Sequence, residues 1–203
     1  MNLIFVGPPG SGKGTQAKII ARILDSPHIS TGDLVRESTG DLKREIDSYI
    51  NMGNLVPDEL ILKILKKRLS RGDAKGGFIL DGFPRNIAQA DALDLFVKID
   101  KVIHIKLPDK EAFNRISGRR NCAKCGRIYN IYTSPKPKQD GICDYDGSIL
   151  HERGDQREEV IEKRLQVYHN DTEPILKKYT HFDVDGSKDI DVVTQEILKY
   201  ISK

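Results

Sequence analysis

Net charge, cysteine and long apolar runs are all scarce in this 203-residue chain. Its 33 lysines and arginines nearly balance 30 acidic residues, leaving a formal net charge of +3. So small an excess argues against a nucleic-acid partner, which calls for a concentrated basic stripe, and no RNA-binding aromatic motif interrupts the sequence. Three cysteines, two of them as Cys122-x-x-Cys125, fit a disulfide framework badly and point to metal binding. No stretch approaches the ~18 apolar residues of a membrane-crossing helix. No charged leader or cleavable apolar region precedes the first strand pattern, Leu3-Ile4-Phe5-Val6. The expectation is a cytoplasmic protein with neither a membrane nor a nucleic-acid partner. Internal repeats and low-complexity tracts are also missing.

What is present reads as globular: 31% charged and 38% hydrophobic residues. Short apolar runs at Leu3–Val6, His28–Ser30, Phe78–Leu80, Val102–Leu107 and His181–Val184 have the near-continuous character of parallel strands covered on both faces. Helical spacing separates them. Thr15–Leu24 sets Ala17, Ile20, Ile23 and Leu24 on one face, and Val193, Ile197, Tyr200 and Ile201 repeat the pattern near the end. Such alternation predicts an α/β fold with a doubly wound parallel sheet. Two stretches break the rhythm as insertions: residues 30–56, polar and helical, and residues 119–156, which carry all three cysteines and no helical period.

The strongest motif is Gly7-Pro8-Pro9-Gly10-Ser11-Gly12-Lys13-Gly14-Thr15, between the first strand and a helix. Its glycines let backbone N–H groups wrap a polyphosphate, the helix amino terminus adds its positive end, and Lys13 supplies a point charge. The residue after the lysine is Gly14, where Ser or Thr usually holds Mg²⁺. The metal is therefore expected to rest mainly on phosphates and waters. Asp81 closes an apolar strand, where an unpaired carboxylate is costly.

Further on come Ser30-Thr31-Gly32-Asp33, then Arg36, Asn54-Leu55-Val56-Pro57-Asp58, Gly82-Phe83-Pro84-Arg85 and Gln89. Arg36 and Arg85 suit a terminal phosphate, which a guanidinium grips with two parallel hydrogen bonds. The side-chain amide of Gln89 carries both donors and acceptors. Arg115, Arg119, Arg120, Arg153 and Arg164 follow, with Arg115 and Arg119 expected on one helical face and Arg120 facing solvent.

Cys122-Ala123-Lys124-Cys125 and Cys143-Asp144-Tyr145-Asp146 form two similar turns. Taking Asp146 as fourth ligand gives a closed tetrahedral, structural Zn²⁺ site, with Asp144 and His151 as rivals for that place.

In this order after a phosphate loop, these motifs resemble the nucleoside-monophosphate kinases, and most closely adenylate kinases with a long, zinc-bearing lid. The resemblance covers nearly the whole chain and implies a P-loop fold with five parallel strands. Its core comprises residues 1–29, 57–118 and 157–203, its AMP-binding insertion residues 30–56 and its lid residues 119–156. The implied activity is Mg²⁺-dependent transfer from ATP to AMP, giving two ADP, in a monomer. Carried over, ATP contacts fall on Gly10, Ser11, Gly12, Lys13, Gly14, Thr15, Arg119, Ile128, Tyr129 and Lys188. AMP contacts fall on Thr31, Arg36, Asn54, Leu55, Val56, Gly82, Phe83, Pro84, Arg85, Gln89, Arg153 and Arg164. Lys13, Arg85, Arg119, Arg153 and Arg164 are the expected catalytic cations, with Asp81 orienting waters on Mg²⁺. Family members commonly carry two adjacent aspartates shortly after the position of Arg153; here Asp155 is followed by Gln156. A UMP or CMP kinase, a GTP-using AMP kinase, a nucleic-acid-binding ATPase and a degenerate regulator are the rival readings.

Overall fold

The structure is a computed structural model that describes residues 1–203 except Gly53, Arg153 and Asp155 and the side chains of Asp41 and Leu42. Strands β1 (Asn2–Val6), β2 (His28–Ser30), β3 (Phe78–Asp81), β4 (Lys101–Lys106) and β8 (His181–Asp185) form one parallel sheet in the order β2-β3-β1-β4-β8. The alternation of side chains decides its two faces. Ile4, Val6, Leu80 and Val102 point to one side, where they meet Ile61, Leu65 and Leu93 of α4 (Asp58–Leu69) and α5 (Ile87–Asp94). Leu3, Phe5, Ile79, Ile103 and Ile105 point to the other. There they pack on α1 (Lys13–Ile23) and α8 (Ile190–Ile201). Burial of each such side chain contributes about 1.5–3 kcal/mol, so this two-sided core fixes the platform for everything above the sheet.

The expected strands and doubly wound sheet are present. The helix faces differ in detail. Ile23 is 54% exposed. Gln16 takes an inward place instead, donating to Ile190 O at 2.8 Å and accepting from Thr194 Oγ1 at 2.8 Å. Tyr200 stacks on Phe182 with centroids 4.6 Å apart.

Residues 30–56 open on the last residue of β2 and then contain α2 (Thr31–Arg36) and α3 (Gly40–Ile50), with no further strand among the described residues. Helix α6 (Asp109–Ser117) packs on α7 (Glu158–Val167) through Ala112, Ile116, Ile161 and Leu165. Between them a second, antiparallel sheet is built from β5 (Arg119–Cys122), β6 (Ile128–Asn130) and β7 (Leu150–His151), in the order β6-β5-β7. Arg115 and Arg119 therefore do not share a helical face: α6 stops at Ser117, and Arg119 is the first residue of β5. Arg120 is not simply solvent-facing either. It is 19% exposed, pairs with Glu152 at 2.6 Å and donates to Arg119 O at 2.9 Å. Among the described residues no helix is long and apolar enough to cross a membrane.

Candidate active site

The phosphate loop runs from the end of β1 into α1, at the carboxyl edge of the parallel sheet, where open α/β folds gather ligands. Gly12 caps α1 with φ +89°, a left-handed conformation that side chains rarely adopt. Gly14 is glycine for a different reason: a Cβ there would stand 3.0 Å from Asp81 Oδ2. Ser11 Oγ is buried with no hydrogen-bond partner among the described residues, leaving a hydroxyl for an incoming oxyanion or hydrated cation.

Lys13 Nζ donates to Pro8 O at 3.2 Å. Burial pushes its ammonium down to about 8, with Asp81 opposing the fall and Arg85, Arg164 and Arg119 adding to it. Asp81 ends β3 nearly buried, 3.5 Å from His28 Nε2. Burial alone would raise its carboxyl, but the His28 contact and the Lys13 charge hold it below the usual range. A site with four cations and one carboxylate lowers the charge of its own lysine; bound polyphosphate would reverse that.

One cavity brings together Lys13, Thr31, Arg36, Asn54, Leu55, Val56, Gly82, Phe83, Pro84, Arg85, Gln89 and Arg164. Its floor is tied to β3. Thr31 Oγ1 and Arg85 Nε donate to Gly82 O, at 2.8 and 2.7 Å, and the Phe83–Pro84 peptide is cis. Arg36 pairs with Asp33. Gln89 is 2% exposed; its Oε1 accepts from Arg85 N and its Nε2 donates to Asp58 Oδ1, both at 2.7 Å. These bonds use half of the amide's capacity and fix which end is oxygen, leaving one donor and one acceptor site for a base. Asp58, Asn86 and Thr172 were not singled out from the sequence. Asn86 also donates to Asp58 and caps α5, and Thr172 Oγ1 donates to Arg85 O at 2.8 Å.

Other expected residues lie elsewhere. Gly10 belongs to the loop, and Thr15 to the first turn of α1. Lys188 lines a second cavity beside Pro8 of the phosphate loop and forms an ion pair with Glu196 at 2.7 Å. Tyr129 is buried in the small sheet, where its hydroxyl accepts from Asp144 N at 3.0 Å, while Ile128 lies on its surface. The Tyr129 ring is thus occupied in packing. Arg153 lies outside the described residues.

Cys122, Cys125, Cys143 and Asp146 offer four ligand atoms within 4.8 Å of one another. Cys125 Sγ and Cys143 Sγ are 3.6 Å apart, and Cys122 Sγ is 3.3 Å from Asp146 Oδ2. A tetrahedral ion with sulfur ligands at ~2.3 Å sets sulfurs about 3.7 Å apart, so the set fits Zn²⁺. Neither rival, Asp144 nor His151, is in the cluster; Asp144 Oδ1 instead accepts from Lys138 N at 2.8 Å. Ser148, unnoticed in the sequence, donates to Asp146 through both its backbone N–H and its hydroxyl. At the phosphate loop, Asp81 and the hydroxyls of Ser11 and Thr15 are the hard oxygen donors that Mg²⁺ and its waters prefer.

Comparison with known proteins agrees with this geometry. The family model described as adenylate kinase matches residues 5–184. An adenylate kinase of Thermosipho africanus is 46% identical, with all of both chains covered. One from Archaeoglobus fulgidus is also 46% identical, covering 100% of this chain and 99% of the relative. One from Staphylococcus epidermidis is 47% identical over 98% of this chain and 97% of its own. With a phosphate loop opening α1 and matches of this extent, the chain belongs to the adenylate kinase family.

Proposed function

We propose that the cavity floored by Gly82 and Gln89 receives AMP, that the phosphate loop receives ATP, and that the cations between them carry the transferred group. As an adenylate kinase, the chain moves the terminal phosphoryl group of ATP onto AMP to give two ADP. The observation that supports the site assignment is that Lys13, Arg36, Arg85 and Arg164 line one cavity together with Thr31 and Gln89.

The phosphate of AMP is ionised near neutral pH, so its oxygen attacks without a protein base. Catalysis then comes from alignment and from charge placed where the transferred group spreads its own. In this reading Lys13 follows the outer phosphates of ATP, and Arg36 and Arg85 hold the phosphate of AMP. Arg119, Arg153 and Arg164 reach the transferred group. Gln89, held by Asp58, reads the adenine edge. Bound Mg²⁺ neutralises phosphate charge, and Asp81 with the loop hydroxyls orients its waters. Residues 30–56 act as the AMP-binding insertion and residues 119–156 as a lid that excludes water. Zn²⁺ on Cys122, Cys125, Cys143 and Asp146 staples that lid, whose apolar cluster is only a handful of residues. A cytoplasmic monomer completes the reading, and sizing at micromolar concentration tests the monomer.

The deciding experiment mixes protein, Mg²⁺ and ATP with AMP, UMP, CMP or no acceptor and quantifies ADP. ADP formed with AMP alone, and abolished by Lys13→Ala, supports the assignment. ADP formed equally without acceptor overturns the AMP pocket.

A further inference from the structure

On the face of the sheet away from α1, β4 and β8 bring two histidines and an aspartate together outside the nucleotide cavity. His104 and Asp183 are direct partners in the parallel register, and His181 precedes Asp183 by two residues on the same face. His104 Nδ1 lies 2.8 Å from Asp183 Oδ1, and His181 Nε2 lies 3.5 Å from the same oxygen. All three ligand atoms fall within 4.8 Å. Lys106 is engaged with the other carboxylate oxygen, Oδ2, at 3.4 Å, which leaves Oδ1 to the imidazoles.

The hydrogen bonds beyond this trio are those of a ligand set. His181 Nδ1 is 3.0 Å from Tyr179 O, a pure acceptor, so Nδ1 donates there and Nε2 is the nitrogen turned toward Asp183. His104 Nε2 is 3.0 Å from the buried Tyr168 hydroxyl, which can accept from it once Nδ1 holds an ion in place of its proton. Each ring therefore has an outer partner that fixes its orientation, the arrangement metal-binding histidines use. His104 and Asp183 also line a cavity of about 650 Å³, which gives an ion room for waters to complete its shell.

We propose that His104 Nδ1, His181 Nε2 and Asp183 Oδ1 form a second metal site, separate from the cysteine cluster, for a divalent ion of the zinc, nickel or copper class. Two imidazoles and one carboxylate suit those ions better than Mg²⁺ or Ca²⁺. Ideal tetrahedral ligands at ~2.0–2.1 Å sit about 3.3 Å apart, so a small turn of the His181 ring, on edge strand β8, closes the set. Tyr168 lines both this cavity and the nucleotide cavity, so the ion would brace a wall of the acceptor site.

The test titrates untagged, zinc-loaded protein with Ni²⁺ by calorimetry and follows the imidazole nitrogens by NMR. One Ni²⁺ should bind per chain, broadening His104 and His181 selectively. His181→Ala and Asp183→Asn, both on the edge strand and each checked for unchanged melting, should weaken it by at least about tenfold. His169→Ala removes a ring that pairs instead with Asp109 and Glu173, and should leave binding intact. No Ni²⁺ uptake by the zinc-loaded protein, uptake unchanged in both β8 variants, or uptake lost in His169→Ala would each overturn the site.

Discussion

Gly14 and Asp81 are packed so closely that a Cβ on the glycine would stand 3.0 Å from the carboxylate oxygen Oδ2. A side chain after the lysine would therefore crowd the acid across from it. Gly14→Ser, which restores the commoner motif, should slow the enzyme rather than speed it. Displacing Asp81 or the first turn of α1 by a few tenths of an ångström should lower kcat by about tenfold or more, since 1 Å misplacements cost up to ~10². Steady-state kinetics at saturating ATP and AMP would show it; an unchanged or higher kcat contradicts the packing argument.

Lys13 makes nucleotide affinity depend on pH. Its pKa is lowered to about 8 by burial, while an unfolded lysine titrates near 10.5. Below pH 8 the free enzyme already carries the charge; above it, binding must recruit a proton. ATP affinity should therefore fall as pH rises through 8. Calorimetry at pH 9 in buffers of different ionisation enthalpy should report proton uptake, absent in Lys13→Ala. In the free protein the sign for stability is opposite: between pH 8 and 10.5 the unfolded chain binds the extra proton, so this group's contribution to stability increases with pH.

Asp58 holds Gln89 from 31 residues away in sequence. Asp58→Ala should free the amide to rotate while leaving the phosphate cations untouched. The KM for AMP should rise with little change in the KM for ATP, and discrimination against other monophosphates should relax. A uniform loss for both substrates would instead mean that Asp58 supports the fold.

Gln156 Nε2 donates to Ile116 O at 2.9 Å and Arg119 O at 3.0 Å. A carboxylate cannot donate there. Gln156→Glu would set a negative charge against two carbonyls at the junction of α6 and β5, costing about 1–3 kcal/mol. Hydrogen exchange at residues 116–122 should accelerate while that of β1 and β4 stays slow.

Removing metal from the cysteine cluster should act locally as well. Chelation, or Cys143→Ser, should strip exchange protection from β5, β6 and β7 and leave the parallel sheet protected. Equal loss in both sheets would show that the small sheet is not a separate cooperative unit.

The reasons why parts of this fold were legible in the sequence lie in particular residues. Leu3-Ile4-Phe5-Val6 is buried on both faces and reads as an unbroken apolar run; the phosphate loop is contiguous, so spacing alone carries it. Arg119 was misplaced because helical spacing from Arg115 continues past Ser117, and no apolar residue there marks where α6 ends. The inward face of Tyr129 was not legible because the strand holding it is three residues long, too short for alternation to declare it. The Asp58–Gln89 and His104–Asp183 pairs were invisible for another reason. Each joins residues from elements far apart in sequence, and only the register of the fold makes them neighbours.

The small sheet has a further consequence. Its apolar cluster is Cys122, Tyr129, Cys143 and Leu150, with Cys125 packed against it, so three of the five members are thiols. Oxidising one of them to a sulfenic or sulfinic group sets a polar intruder among apolar neighbours and removes a sulfur from the four-atom cluster with Asp146. Under oxidative stress the chain would fail in the small sheet first, while the parallel sheet, with a core of its own, stays folded.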